Sequence, residues 1–323
     1  MSRGALTQSV TLLRQAIQLA PDVTILHRDL GQALNLSKDY AGAYKTVEAL
    51  IKADQADELT YQIAASALLN QGEKKKARNV AEKGIKAYPN SGILYHELAR
   101  YYELNNDPEY ALDALLQGIE RDPIYHLNYY DAARLYAGTS KCIWTIIYGE
   151  IFSNIERHTP RSLETRKLIL QSYQKLFSSV TAATTPKYGA AVTEGEEPTF
   201  EAAVMQTMLP LAPVVADGFT AENLIMLRTR FAMDWKNNFD KKYPFSLFRY
   251  HDKMLREGTF DAYNQWLFGK VENAASFDAW TKFHKDAIPG LENWIRSNQY
   301  LPLAGDFHNT KDLRKLFLQK KKG

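Results

Sequence analysis

The stretch YHELARYYELNNDPEYALDALLQGIERDPI, residues 95–124, reads as two helices joined by a turn. Tyr95, Leu98, Ala99 and Tyr102 recur at helical spacing, Asn105, Asn106, Asp107 and Pro108 break the pattern, and Ala111, Leu115 and Ile119 resume it. The unit recurs. LAPD (Leu19–Asp22), ADQA (Ala53–Ala56), AYPN (Ala87–Asn90) and RDPI (Arg121–Ile124) fall into register at a period of 34 residues, with Pro21, Gln55, Pro89 and Pro123 at the third place. The same step carries small residues at Gly31, Ala65, Ala99 and Ala133, large rings at His27, Tyr61, Tyr95 and Tyr129, and a second small column at Ala43, Ala77 and Ala111.

A fixed period of this length marks a repeat architecture. The small columns let paired helices approach closely, the rings fill the space between units, and proline ends the second helix of each pair. In its period, in the aromatic, leucine, small, aromatic order of the first helix, and in the alanine and terminal proline of the second, the pattern resembles the tetratricopeptide repeat over roughly residues 5–160. Full repeats are expected at 23–56, 57–90 and 91–124, followed by a degenerate unit at 125–160 with a lengthened turn at Gly138–Lys141. A further helix is expected at Ser162–Ser179, while Leu6–Ala20 matches a second helix without its partner. The expected fold is all-α: an α-α superhelix over residues 1–179, a connection at 180–198, an aromatic-rich helical domain over 199–310 and a basic tail at 311–323.

The chain of 323 residues, 45% hydrophobic, has ample core-forming material, and its net charge of +3 hides a division: the tail supplies +5, leaving the rest at −2. A folded part without basic excess argues against nucleic-acid binding. The single cysteine, Cys142, excludes an intramolecular disulfide framework and reads as a small buried residue between apolar neighbours. No apolar run reaches a membrane span and residues 1–20 show no export signal. Compartment stays open: cytoplasmic by default, exported if an N-terminal signal has been removed.

Beyond the connection, helices are expected at Phe200–Val215, Ala221–Phe239 after a Thr220 cap, Phe245–Glu257, Phe260–Phe268, Phe277–Lys285 and Leu291–Ser297. Thr259 and Ser276 each precede a Phe-Asp-Ala-aromatic start and read as hydroxyl caps. Fifteen of the 66 residues from Trp235 to Tyr300 are aromatic, against 12% overall. Phe260, Tyr263, Trp266 and Phe277, Trp280, Phe283 step by three as a buried helix face does; the competing reading is a stacking surface for a sugar or a cation.

Stacked first helices in solenoids of this family line a groove. The stripe facing it here is Arg28, Gln32, Asn35; Gln62, Ser66, Asn70; His96, Arg100, Glu103; and Tyr130, Arg134. With arginines in three of four units and few opposing acids, it suits an extended peptide. Ile63 and Ile93 stand where a chaperone-tail clamp needs polar residues, so that partner is not expected. The seven histidines form no HExxH or close pair, and there is no GxSxG, no phosphate-binding glycine loop and no local cysteine-nucleophile signature, so no catalytic residue, metal ligand or cofactor is assigned. The resemblance implies a protein- or peptide-binding scaffold rather than an enzyme. Two alternatives stand beside it. In one, the C-terminal domain binds a small molecule or glycan, or is catalytic, in a pocket of Trp266 and Trp280 with His251 or Asp252. In the other, the chain self-associates as a homo-oligomer through the half-repeat at 6–20.

Overall fold

The computed structural model describes residues 3–178 and 197–309, and among them all regular structure is helical. All but the last two residues of the expected connection, and all of the basic tail, lie outside the described residues. The chain divides into two compact units, Met1–Asn128 and Tyr129–Gly323.

The first unit comprises α1 (Arg3–Leu19) and three hairpins: α2 (Thr24–Leu36) with α3 (Tyr40–Lys52), α4 (Glu58–Asn70) with α5 (Lys74–Ala87), and α6 (Gly92–Leu104) with α7 (Pro108–Arg121). α3 also packs on α4 and α5 on α6, the first helices stack α2 on α4 on α6, and α1 lies on α2. The repeated columns explain the fit. Ala43, Ala77 and Ala111 are fully buried. A Cβ on Gly84 would sit 2.9 Å from Tyr61 Cβ, and one on Gly118 would sit 3.0 Å from Tyr95 Cβ, so each ring column rests on bare backbone of the second helix.

The hairpin turns are closed alike. The amides of Asp39, Glu73 and Asp107 donate to Leu34, Leu68 and Tyr102 carbonyls, each at 2.9 Å. This six-residue bond ends a helix through one left-handed residue. That residue is Lys38 (φ 68°), Gly72 (φ 81°) and Asn106 (φ 59°). Glycine adopts the conformation freely, whereas the Cβ of lysine crowds the following carbonyl. Replacing Lys38→Gly is therefore expected to stabilise the first unit by about 1 kcal/mol, seen as a higher urea midpoint; an unchanged or lower midpoint would refute the strain at this turn.

The division falls inside α8 (His126–Ala137), well before residue 179. The second unit continues with α9 (Cys142–Ile155), α10 (Pro160–Ser178), α11 (Phe200–Met208), a 3-10 turn (Leu209–Val215), α12 (Ala221–Asn238) and α13 (Ser246–Arg256). α14 spans 260–272, α15 Ala274–Phe283 and α16 Ala287–Ser297. The reason for the early boundary is α9. Every residue from Cys142 to Asn154 is buried, and Trp144 stacks on Phe200 with centroids 5.9 Å apart. The degenerate unit thus shares its core with the C-terminal helices. Its turn, residues 138–141, is one residue longer than the earlier turns, as expected.

Several local expectations need correction. Thr220 caps α12, accepting from Asn223 N at 3.2 Å, but Thr259 makes no capping bond, and α15 is capped by Asn273, whose side chain accepts from Ser276 N at 3.1 Å. Phe260, Tyr263 and Trp266 are core, joined by Phe200, Phe231, Trp235, Phe245 and Phe248. The matching triplet on α15 is not: the helix has no buried residue and Phe283 is 87% exposed. A three-residue step marks a stripe without guaranteeing a surface to cover it.

At the centre of the second unit lies a fully buried ion pair, Glu150 with Arg228. Glu150 Oε1 on α9 accepts from His251 Nε2 on α13 and from Tyr263 Oη on α14, each at 2.7 Å, and pairs with Arg228 of α12, which also donates to Asn264 Oδ1 at 2.6 Å. Burial alone would raise the Glu150 carboxyl; the charge of Arg228 and the bonds from His251 and Tyr263 outweigh it and hold it at about 2. Burial pushes His251 below its ordinary value despite Glu150, so near neutral pH it serves as an uncharged Nε2–H donor and Arg228 is the countercharge. The unfolded chain therefore takes up a proton that the folded one refuses, and stability from this histidine is lost as pH falls below about 6.5. The contribution of Glu150 persists until pH drops below about 4.5 and is lost towards its depressed value of about 2. Urea midpoints at pH 7.5 and 5.5 should differ less in His251→Gln, which retains a donor but cannot titrate, than in the parent chain; equal differences would remove His251 from this role.

Candidate functional site

The face carried by the stacked first helices is polar, and its side chains bond mainly to one another. Arg28 on α2 donates through Nη1 to Asp57 Oδ2 at 2.7 Å and through Nη2 to Asp29 Oδ1 at 2.9 Å. Asp57 caps α4, accepting from Thr60 N at 2.8 Å; burial would raise its carboxyl, but the bonds from Thr60 and Arg28 hold it below the usual range. Asn35 Nδ2 donates to Ser66 Oγ at 3.3 Å, and Arg100 Nη1 donates both to Ser66 Oγ at 3.2 Å and to Glu97 Oε2 at 2.6 Å. Gln62 Nε2 completes the set on Glu97 Oε1 at 2.7 Å. One ladder of hydrogen bonds crosses all three repeats.

This revises the expectation of unopposed arginines. The acids are Asp29, Asp57 and Glu97, joined in the second unit by Asp131, which accepts from Arg134 Nη1 at 2.5 Å. Asp29, Glu97 and Asp131 occupy one column of the 34-residue register, with Ile63 at the remaining step. The signal was present one residue to the side of the stripe. His96 is also corrected: it is buried, edge-on to Tyr125 at 5.7 Å. Ser66 is buried inside the ladder, Glu103 is half-buried on α6, and Asn70 is exposed at the end of α4. Tyr130 belongs to the second unit, where it donates to Glu164 at 3.0 Å and is pushed up to about 12 by burial and then by that carboxylate.

Two features of this face are not absorbed by the ladder. Gln32 Oε1 and Asn35 Oδ1 are buried acceptors without a donor among the described residues. A column missed by the sequence reading, Ile25, Leu59, Ile93 and Leu127, repeats at the same 34-residue step one helical turn before the acidic column. Ile25 is 48% and Leu59 39% exposed, which is large for aliphatic side chains at repeated positions. The alternative pocket does not assemble: Trp266 is core, His251 is bound to Glu150, and Asp252 pairs with Lys236 and Arg256 at the surface. Among the described residues no group of three or more His, Cys, Asp or Glu is placed to hold a metal ion, and no helix is long and apolar enough to cross a membrane.

Residues 58–101 match the tetratricopeptide repeat family. The match covers α4, α5 and most of α6, so the chain contains tetratricopeptide repeat sequence there. No curated protein matches the chain in sequence. Among solved structures, the crystal structure of MamA protein is similar at 20% identity and a TM-score of 0.38, over 47% of this chain and 81% of that one. The human IFIT1 dimer with PPP-AAAA is similar at 18% identity and a TM-score of 0.38, over 88% of this chain and 56% of that one.

The ladder sets what this face tolerates. Arg100→Glu confronts Glu97, itself only 3% exposed, with a second carboxylate, and should lower the stability of the first unit by about 3 kcal/mol. Ile25→Ser should cost less than about 0.5 kcal/mol. Urea unfolding distinguishes the two; equal stability would mean the ladder contributes nothing.

Proposed function

We propose that the chain is a scaffold that recruits a protein partner by gripping an extended segment of it along the first-helix face of the first unit. Tetratricopeptide repeats support a protein-interaction role in general. The exposed aliphatic column beside the polar ladder carries the particular reading. Ile25 and Leu59 offer apolar contacts one repeat apart, beside the polar side chains of the ladder. The arginines neutralise the protein's own acids, so the favoured segment is apolar and hydrogen-bonding rather than strongly acidic.

Selection of a random peptide library against the intact chain tests this. Enriched peptides should carry aliphatic residues and bind at least about tenfold more weakly to the double variant Ile25→Ser, Leu59→Ser, with circular dichroism unchanged. Peptides whose affinity ignores both substitutions, or a selection that enriches nothing, would overturn the assignment to this face.

A further inference from the structure

The second unit carries a cleft of about 650 Å³ that neither its core nor the repeat face accounts for. Its walls are indoles and aliphatic groups, Trp280, Trp294, Met226 and Leu291. Its acids are Glu222, Asp261 and Asp286, and no lysine or arginine is among the described residues that line it. Volume and lining are those of a small-molecule site, an apolar hollow with a few polar groups.

The helix flooring the cleft departs from α geometry at this place. α14 starts as an α-helix over Phe260–Asn264, widens to a π-turn over Gln265–Gly269 and closes with Lys270–Glu272. Single π-turns inside helices are costly and concentrate at functional sites. Gln265, almost completely buried, lines the cleft and donates from Nε2 to Glu222 Oε1 at 3.0 Å; on the next residue Trp266 O accepts from Arg166 Nη1 at 2.6 Å. The deformed turn thus fixes one carboxylate of the site. Trp294 is held by its Nε1 donating to Glu257 Oε2 at 2.6 Å, and Trp280 already carries a flat ring, that of His284, stacked 4.6 Å from its centroid.

No lysine or arginine among the described lining residues offsets the three carboxylates, although His284 also lines the cleft and Lys253 Nζ lies over the Trp294 ring, 5.8 Å from its centroid. The lining carboxylates do not converge as a metal site among the described residues, and the walls between them are apolar. A compact inorganic cation gains little from such walls; an organic cation meets both the carboxylates and the indoles.

We propose that this cleft binds an organic ammonium ion, a cationic amine carried on an aromatic or aliphatic body. The apolar body lies against Trp280, Trp294 and Met226, and the ammonium faces Glu222, Asp261 and Asp286.

Three probes of one size separate charge from hydrophobic contact: 2-phenylethylammonium, 2-phenylethanol and phenylacetate, titrated into the full chain and followed by the indole N–H resonances of Trp280 and Trp294. The ammonium should saturate near about 1 mM and shift both indoles, the alcohol should bind roughly tenfold more weakly, and phenylacetate should not bind. Asp261→Asn with Asp286→Asn, both exposed and therefore tolerated by the fold, should bring the ammonium down to the affinity of the alcohol and leave the alcohol unchanged. Asp252→Asn, a carboxylate outside the cleft, should change nothing. Equal binding of ammonium and alcohol, insensitivity to the double substitution, or no indole shift at ten times the expected concentration would each overturn the proposal.

Discussion

Two helices of a hairpin bury little by themselves, and the first unit exists because its backbones come close enough for each hairpin to cover the next. Contact is permitted where side chains are nearly absent: at Ala43, Ala77 and Ala111, and where Tyr61 and Tyr95 rest on Gly84 and Gly118. The rest follows from that approach. Close first helices bring Asn35 within reach of Ser66, and Ser66 within reach of Arg100, so the polar face is woven across repeats as well as within them. A larger residue at a contact column would separate the hydrogen-bonding partners as well as loosen the core.

The two units deal with buried charge in different ways. On the repeat face Glu97 is buried, but Arg100 is partly open to water and each carboxylate oxygen has its own donor, so solvent shares the task of screening. In the second unit Glu150, Arg228 and His251 are all sealed from solvent, and the balance is set by geometry alone. Removing one member there strands the others. The centre joins α9, α12, α13 and α14 through hydrogen bonds that all converge on one carboxylate or its countercharge.

Much of this was legible beforehand where one constraint acts alone. The 34-residue step reports steric contact, and steric contact depends on the size of one residue, so the columns at Ala43 and Gly31 declared the hairpins and their order. The site was less legible because it depends on pairs. Arg28 and Arg100 were recognisable as surface cations, while their neutralisation by Asp57 and Glu97 required knowing that adjacent repeats meet there. The acidic column was nonetheless written in the register, as was the aliphatic one at Ile25 and Leu59. In the second unit the spacing of Phe277, Trp280 and Phe283 misled, since periodicity describes a helix and not what lies opposite it. The Glu150 centre was hidden for a related reason: its members stand 78 and 101 positions apart, with no repeat to bring them into register.

The π-turn of α14 has a consequence for how this chain accommodates change. A turn of that width holds one residue more than an α-helix fits into the same rise, and the surplus is absorbed locally. Loss of a single position between Gln265 and Gly269 would return the segment to ordinary winding and turn Lys270–Glu272, with everything after them, by about 100° about the axis. Phe277 would leave its place against Gly269, and α15 and α16 would face elsewhere. The bond from Arg166 to the Trp266 carbonyl ties that surplus residue to α10, 100 positions earlier. The reading frame of the C-terminal helices, in the rotational sense, is thereby set by one guanidinium and one inserted residue.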